Sequence, residues 1–431
     1  MLYYLHNFSE FFGPLRLFEY ISFRAGGAFF TAFLLTVFTI PPLLPFYQKH
    51  CIQKSSRTDD GKKPYKPLMG GVIIIGAVVV SALLWGMVSD RKLVVFILAT
   101  LALATLGFVD DFIKLKYLRQ ERDGVKRNTK IIVQAIISAV AIYALYKTHG
   151  TVTMKIFLPC FKQPFQFVPG SENIAVMTPF SSEAWFTMPL YIMPLCLIFM
   201  LLFNFGVLFC ASNGVNLTDG KDGLASGCMI FAALAFAVIS YLSGHKIFAE
   251  YLNIPFVPGA GEVGIYACAI AGACMGFLWH NCHPAAMFMG DTGSLALGGA
   301  LSLIAIMLGQ QVLLFIIGGV FIIELGSSFI QQKYYRLTGG KRIFLMAPLH
   351  HHYEKKGIPD SQITIRFWIV VCAVEVSAVR LQVDLLTLLS TWIVVDVEHI
   401  KQFDSMFFLL LCDTHDEIFQ PWHFLSVQCR S

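Results

Sequence analysis

Five aspartates lie at the ends of apolar segments, where carboxylates could bind a divalent cation. Asp110 and Asp111 are adjacent and follow the apolar run 101–109. Two neighbouring carboxylates at membrane depth repel each other unless a cation or basic groups neutralise them. We therefore expect a metal near this pair. The alternative is that the two acids only mark where a helix leaves the bilayer.

The segment 213–223 carries a second group of polar side chains, with Asn216, Asp219 and Asp222 at a spacing of three. Three glycines in this segment allow the backbone to fold tightly, so the three side chains can converge on one face of a turn or helix start. Such a group suits a metal, or the ribose and phosphate of a ligand. A flexible polar turn is the alternative, but it would not need so many carboxylates.

Two further clusters lie later in the chain. The segment 281–294 ends with Asp291, two glycines and a hydroxyl before an apolar run, and this arrangement can present backbone N–H groups to an anion. Asp291 could equally be an ordinary helix N-cap. The other cluster is His350, His351 and His352. Three consecutive histidines do not easily bind one tetrahedral metal, so phosphate contacts or proton transfer near neutral pH are the more natural uses.

The elements that must hold these clusters are membrane helices. The chain is 56% hydrophobic and 14% charged, whereas soluble domains carry about 25% charged residues. A soluble fold has too little interior for so much apolar surface, so lipid must be the solvent. The sequence predicts an all-α fold, a polytopic transmembrane bundle of about ten helices. The predicted spans are 24–47, 70–88, 92–113, 131–147, 186–212, 223–243, 264–280, 294–310, 312–330 and 363–380.

The distribution of lysine and arginine predicts which loops share a side of the membrane. If the N-terminus is external, the inner loops are 48–69, 114–130, 213–222, 281–293 and 331–362. Three of these loops are clearly basic, and the opposite loops hold few lysines or arginines, which is a strong positive-inside pattern. All four polar clusters then lie on the inner side, so one shared site is the economical interpretation.

The donor atoms predict the chemistry of that site. Carboxylate oxygens suit Mg²⁺ or Mn²⁺ rather than zinc. The eleven cysteines include no C-x-x-C pair, so we expect no zinc site and no disulfide framework. A hard cation among carboxylates and lysines at a membrane surface can move a phosphoryl group. A transporter of anionic metabolites would instead need charges at midmembrane and paired broken helices, and a scaffold protein would leave the acids unexplained.

The ordered motifs resemble the phospho-N-acetylmuramoyl-pentapeptide-transferase (translocase I) family, polyprenyl-phosphate sugar-1-phosphate transferases of bacterial peptidoglycan synthesis. The likeness covers about residues 15–370 and is carried by Pro67–Gly71, Asp110-Asp111, Asn216–Ala225, Pro284–Ser294 and Pro348–His352. It implies ten transmembrane helices in the bacterial inner (cytoplasmic) membrane, a cytoplasmic active site, Mg²⁺ dependence and a homodimer. The implied reaction transfers phospho-N-acetylmuramoyl-pentapeptide from UDP-N-acetylmuramoyl-pentapeptide to undecaprenyl phosphate, giving lipid I and UMP. The expected surroundings are membrane lipid, and no nucleic acid partner is expected.

The resemblance also implies roles for individual residues. The acids implied to be catalytic and to hold the metal are Asp110, Asp111 and Asp291. The histidine loop implied to be catalytic is His350, His351 and His352. The groups implied to bind the nucleotide or its phosphates are Lys63, Lys114, Asn216, Asp219, Asp222, Asn281 and Phe288.

The chain departs from the family pattern at a few positions. Lys66 and Leu68 stand where the family usually has threonines, and Lys221 stands where it usually has leucine, so contacts on the phosphate side are expected to be altered. Residues 1–380 are predicted to form the transferase domain. Residues 381–431 are a C-terminal extension without a family motif, and we expect the enzyme not to need it.

Two chemical routes stay open. An oxygen of the lipid phosphate could attack the UDP-linked phosphorus directly, or an aspartate could first form a phospho-enzyme. A phosphate monoester has a second pKa of about 6, so it is mostly a dianion at pH 7. This charge favours direct attack, with Asp110 positioning or deprotonating the phosphate. The nearest alternative enzyme moves N-acetylglucosamine-1-phosphate or another sugar phosphate onto a polyprenyl phosphate. For that enzyme we expect a more arginine-rich loop in place of 349–353.

Overall fold

The long apolar runs fold as helices, because a helix satisfies its own backbone hydrogen bonds in lipid. The computed structural model describes residues 1–51, 66–116, 124–149, 155–158, 165–169, 173–177, 184–189, 191, 193–252 and 254–383. Two short 3₁₀ helices, Leu2–Phe8 and Gly13–Glu19, come first. The α-helices are α1 (Ile21–His50), α2 (Gly71–Trp85), α3 (Arg91–Lys116), α4 (Arg127–His149), α5 (Met193–Thr218), α6 (Leu224–Gly244), α7 (Lys246–Tyr251), α8 (Ala260–Asn281), α9 (Gly290–Leu308), α10 (Gln311–Ile317), α11 (Gly319–Leu337), α12 (Leu349–Lys355) and α13 (Asp360–Val383).

Eight of the described helices are long and apolar enough to cross a membrane: α1, α3, α4, α5, α6, α8, α9 and α13. The α10–α11 pair adds a ninth if it counts as one span, and the apolar α2 is shorter, with 15 residues. Large apolar side chains such as Phe38, Leu98 and Ile136 are more than half exposed, as is usual for a surface that meets lipid. The predicted all-α polytopic bundle is therefore confirmed.

The ninth span differs from its sequence prediction. The run 312–330 is predicted as one continuous helix, but α10 and α11 meet at Gly318 with a bend of 83°. Gly318 and Gly319 are adjacent residues of poor helix propensity, which makes this the weakest point of the run. The bend gives α11 its own direction toward the histidine cluster.

The segment between α4 and α5 contains four short strands that the sequence analysis did not predict. They are β1 (Lys155–Ile156), β2 (Phe165–Pro169), β3 (Asn173–Met177) and β4 (Ala184–Pro189). They form one antiparallel sheet in the order β1-β2-β3-β4, with Phe167 opposite Val176 and Val176 opposite Phe186. In the predicted topology this sheet lies on the external side, opposite the polar clusters.

Helix α9 is the centre of the bundle. Every residue of α9 except Asp291 is buried, and α9 packs against α3 and α5. The approach of α3 is close because Gly107 lies against the backbone of Asp291, where any added Cβ would overlap the Asp291 carbonyl. Glycine at this position therefore lets the inner end of α3 meet the start of α9.

Candidate active site

Three carboxylates, which we call the acidic centre, meet where α3 ends and α9 begins. They belong to Asp110, Asp111 and Asp291, and one oxygen from each lies within 4.8 Å of the others. Asp110 and Asp111 are buried, whereas the Asp291 side chain keeps 15% of its surface exposed. Residues 180 positions apart in the chain are thus close enough to share one cation.

Two lysines neutralise part of this negative charge. The Lys114 ammonium lies 2.7 Å from Asp110 Oδ2 and 3.0 Å from Asp291 Oδ2. The Lys130 ammonium, at the start of α4, lies 2.5 Å from Asp291 Oδ2 and 3.5 Å from Asp110 Oδ2. The two lysines therefore bridge the same pair of carboxylates, which supplies the basic groups that adjacent buried acids require.

Asp111 has a different environment from the other two acids. Its oxygens accept hydrogen bonds from the backbone N–H of Asp291 at 3.1 Å and of Thr292 at 2.9 Å, and from the Thr292 hydroxyl at 2.7 Å. These N–H groups belong to the first turn of α9, which has no side-chain cap of its own. Asp111 thus caps α9 from another helix, and Asp291, considered above as a possible N-cap, is instead a first-turn residue.

The segment 213–223 reaches the start of α9 from the end of α5. Asn216 donates hydrogen bonds from Nδ2 to Asp291 Oδ1 at 2.7 Å and to the Ser294 hydroxyl at 2.8 Å. Asp219 accepts a hydrogen bond from the backbone N–H of Gly290 at 3.2 Å. Gly290 has a φ of 78°, a left-handed conformation that glycine adopts without steric cost.

The charge state of Asp219 follows from this position. Burial, together with the nearby carboxylates of Asp291, Asp111 and Asp222, raises the pKa of Asp219 well above its ordinary value, although the Gly290 N–H opposes the shift. A carboxyl with a raised pKa retains a proton more readily, and a protonated carboxyl can donate a hydrogen bond to an anionic oxygen.

Asp222 lies in a second polar group next to the acidic centre. It accepts hydrogen bonds from Lys66 at 2.9 Å and from the Ala285 N–H at 3.0 Å, and its Oδ2 lies 3.2 Å from His283 Nδ1. Burial alone would raise the pKa of Asp222, but the contacts with Lys66, Ala285 and His283 outweigh it and lower the pKa. Lys66, one of the departures from the family pattern, is therefore paired with protein before any ligand arrives.

Asn281 and Phe288 border this second group. Asn281 is buried, donates to the Met287 carbonyl at 2.8 Å and accepts from the Gly223 N–H at 3.0 Å. The Lys66 ammonium lies 5.2 Å from the centre of the Phe288 ring, within cation–π range. Asn281 thus fixes the loop backbone, while Phe288 offers a partly exposed aromatic face.

The three histidines of α12 point to three different partners. His350 is buried, and its Nδ1 lies 2.9 Å from Oε2 of the fully buried Glu324 on α11. His351 Nδ1 lies 2.8 Å from Glu354 Oε2. His352 Nδ1 accepts a hydrogen bond from the Leu345 N–H at 3.0 Å. Burial, reinforced by neighbouring positive charge, lowers the pKa of both His351 and His352. A single metal bound by all three side chains does not fit this arrangement.

Comparisons with known proteins agree with the motifs. Residues 93–309 match the sequence profile of glycosyl transferase family 4. A phospho-N-acetylmuramoyl-pentapeptide-transferase of Methylacidiphilum infernorum is 39% identical over 381 residues, covering 86% of this chain and 96% of that protein. Proteins of the same name from Thermodesulfovibrio yellowstonii and Oleidesulfovibrio alaskensis are 37% and 40% identical, with 85% and 86% of this chain and 94% and 96% of theirs covered. This chain belongs to the phospho-N-acetylmuramoyl-pentapeptide-transferase family.

The transferase-family residues predicted from the sequence fall into three adjacent groups. The acidic centre is joined by Lys114, Asn216 and Asp219, and the second polar group joins Asp222 to the segment that carries Asn281 and Phe288. The histidines form the third group, with the His350 ring packed against Gly220. Lys63 lies outside the described residues, so its assignment stays a prediction.

The motifs do not predict two partners within this transferase-family site. Lys130 falls in the predicted inner loop 114–130, but it lies three residues after α4 begins. Glu324 falls in the predicted apolar span 312–330, but it holds both the backbone N–H and the ring of His350. The signal for Glu324 was available, because a lone acid within a membrane span is rare unless it has a partner.

Proposed function

We propose that this chain transfers phospho-N-acetylmuramoyl-pentapeptide from its UDP carrier to undecaprenyl phosphate, forming lipid I and releasing UMP. The observation that carries the proposal is the acidic centre with its two lysines, built at the meeting point of α3, α4 and α9. The three relatives that bear the name of this activity support the choice of substrate, since the match extends over nearly their whole lengths.

The acidic centre fits Mg²⁺ by its donor chemistry. Its three acids offer only carboxylate oxygens, which are the ligands that Mg²⁺ prefers, and one oxygen from each is within reach of a common point. Asp110 and Asp291 would hold the ion in exchange for part of their contact with Lys114 and Lys130, and Asp111 would keep its hydrogen bonds to the start of α9. When bound there, the cation would neutralise charge that develops on the diphosphate.

The contacts of the acids favour direct attack by the lipid phosphate. Ammonium groups and hydrogen bonds draw electron density from a carboxylate and make it a weaker nucleophile, and Asp291 is held by Lys114, Lys130 and Asn216. Asp110 is held by both lysines and by the Val125 N–H at 2.7 Å. We infer that Asp110 orients the attacking phosphate, while Lys114 and Lys130 stabilise negative charge on the transferred group.

The position of the site supports its place in the cell. The acidic centre adjoins the inner loops 114–130 and 281–293, and the histidine helix lies in the inner loop 331–362. The lysines and arginines of 114–130 and 331–362 assign this side to the cytoplasm by the positive-inside pattern. We propose a multi-pass protein of the bacterial inner membrane with an external N-terminus, a cytoplasmic active site and a homodimeric state. Lys63 is proposed to contact the nucleotide phosphates.

The test is a reaction with purified protein. UDP-N-acetylmuramoyl-pentapeptide, undecaprenyl phosphate and Mg²⁺ should give UMP and a lipid-linked product, and exhaustive chelation should stop UMP release. UDP-N-acetylglucosamine in place of the muramyl substrate should give little product. Turnover of UDP-N-acetylglucosamine alone would favour the related sugar-phosphate transferase, and unchanged turnover after chelation would exclude the proposed metal dependence.

A further inference from the structure

The segment 220–223, which we call the clamped loop, lies between α12 and α13. Its residues contact the two helices in order. Gly220 packs against the His350 ring, the Thr364 hydroxyl donates to the Asp222 carbonyl at 3.2 Å, and Trp368 Nε1 donates to the Gly223 carbonyl at 3.2 Å.

The contacts from α13 recur at every fourth residue. Asp360 contacts Lys221, Thr364 contacts residue 222, and Trp368 contacts residue 223. Residues four apart lie on one face of a helix. One face of α13 therefore follows the clamped loop, and the loop position depends on where α13 and α12 stand.

The Lys221 side chain connects the clamped loop to both α12 and α13. Its ammonium lies 2.7 Å from Glu354 Oε2 on α12 and 2.7 Å from Asp360 Oδ1 at the start of α13. The Lys221 side chain is 6% exposed, whereas those of Glu354 and Asp360 are 36% and 31% exposed. A buried cation between two partly hydrated carboxylates fixes the geometry of all three elements more than it stabilises the fold.

The same carboxylate oxygen also holds a histidine. Glu354 Oε2 is 2.8 Å from His351 Nδ1, so Lys221 and His351 share one acceptor atom. Burial would raise the pKa of Glu354, but its contacts with Lys221 and His351 prevail and lower the pKa to about 2. An ionised Glu354 can accept from both partners, so one carboxylate joins Lys221 to His351.

We propose that Lys221 is a positioning residue, which holds the histidine helix α12 and the start of α13 against the loop that carries Asp219 and Asp222. This inference rests on the proposed function, because that function needs the histidines of α12 and the acids of the segment 213–223 to face one substrate. Family members that have leucine at this position would need another means of alignment. In this chain, the lysine that replaces leucine serves the arrangement of the protein and not a direct phosphate contact.

The central variant is Lys221→Met, which keeps the length and apolar stem of the side chain and removes its charge. We expect kcat to fall about tenfold while KM for the nucleotide substrate changes by less than about twofold, because alignment of bound groups is lost more than binding itself. Lys221→Arg, which can still contact both carboxylates, should recover most of the lost kcat. The matched control is Lys246→Met, which removes a lysine paired with Glu250 on an exposed surface.

A double-mutant cycle separates positioning from direct contact with the substrate. If Lys221 acts through Glu354, then Lys221→Met combined with Glu354→Gln should cost much less than the product of the two single effects. Independent effects that multiply would overturn the proposal, as would a Lys221→Met enzyme with kcat within about twofold of the parent.

Hydrogen exchange tests the role of Lys221 without depending on enzyme turnover. Hydrogen exchange of the α12 amides should be several-fold faster in Lys221→Met than in the parent and unchanged in Lys246→Met. If the parent chain released no UMP, the proposed function would fail, and exchange at α12 would still decide the role of Lys221. Equal α12 exchange in the parent and Lys221→Met would refute positioning whatever the activity.

Discussion

We expect Asp111 to stabilise the start of α9 in addition to contributing negative charge to the acidic centre. Asp111→Asn tests this expectation. The carboxylate accepts three hydrogen bonds from the first turn of α9, including two from backbone N–H groups. An asparagine has one acceptor oxygen and turns its NH₂ group toward at least one of these donors. One buried donor then loses its acceptor.

The cost can be worked from these contacts. A buried donor left without an acceptor costs about 1–3 kcal/mol. We therefore expect Asp111→Asn to lower the free energy of unfolding by about 1–3 kcal/mol. Because Asp291 is the second residue of α9, a shift of this helix start also displaces Asp291, and kcat should fall at least about a hundredfold.

The matched comparison is Asp291→Asn. This change removes one charge from the same acidic centre, but Asp291 receives its hydrogen bonds from side chains and not from the start of a helix. The assay is unfolding of both variants in dodecyl maltoside micelles with increasing SDS. Equal midpoints for Asp111→Asn and the parent, or a larger loss of stability for Asp291→Asn than for Asp111→Asn, would refute the capping role.

Three further predictions concern the metal, the pH dependence and the tail. Asp291→Asn should lose most activity while the protein stays folded, and Mg²⁺ should bind more weakly; a loss of only a few-fold with unchanged Mg²⁺ binding would mean that Asp291 is no ligand. Burial first and the charge of Lys356 second lower the pKa of His352 below its ordinary 6.5. Acidification below pH 6.5 therefore protonates His352 in the unfolded chain before the folded one, and the free energy of unfolding falls. Amide exchange of residues 338–347, corrected for intrinsic rates, should rise as pH falls, and His352→Asn should remove this pH dependence. Truncation after residue 380 or 390 should leave activity intact; stable but inactive proteins from both truncations would show that residues 381–431 take part in function.

Much of the fold follows from the sequence because lipid restricts what an apolar segment can do. Long apolar runs in lipid must be helices, so most of the long helices lie close to their predicted spans, whereas α5 begins at Met193 and not at the predicted residue 186. The approach of Asp110 and Asp111 to Asp291 could also be anticipated, since loop charge alone put their helix ends on one side of the membrane. The strands β1–β4 could not be predicted from the same principle, because their pairing depends on contacts between strands, and β4 even occupies the start of the predicted span 186–212.

The finer structure of the site depends on side chains that reach across elements. The spacing of Asn216, Asp219 and Asp222 predicted convergence on one face, and each of the three contacts the segment 283–291. That spacing does not reveal that Asp219 meets a backbone N–H while Asp222 meets a lysine. Such partners depend on the packing of α5 against α9, which a local pattern cannot specify.

The balance of charge in the acidic centre links its structure to its proposed chemistry. Its three carboxylates face two ammonium groups, Lys114 and Lys130, which leaves one net negative charge at the end of the α3–α9 contact. A diphosphate substrate would be repelled by that charge, because all of these groups lie within a few ångströms of one another and are partly shielded from water. A bound divalent cation would reverse the sign to one net positive charge and would attract the same substrate. Either lysine alone would leave the centre neutral when the cation is bound, so both are needed for attraction. Lys130→Met should therefore weaken nucleotide binding but not Mg²⁺ binding, and weaker Mg²⁺ binding with unchanged nucleotide binding, measured by titration of each ligand, would contradict this account.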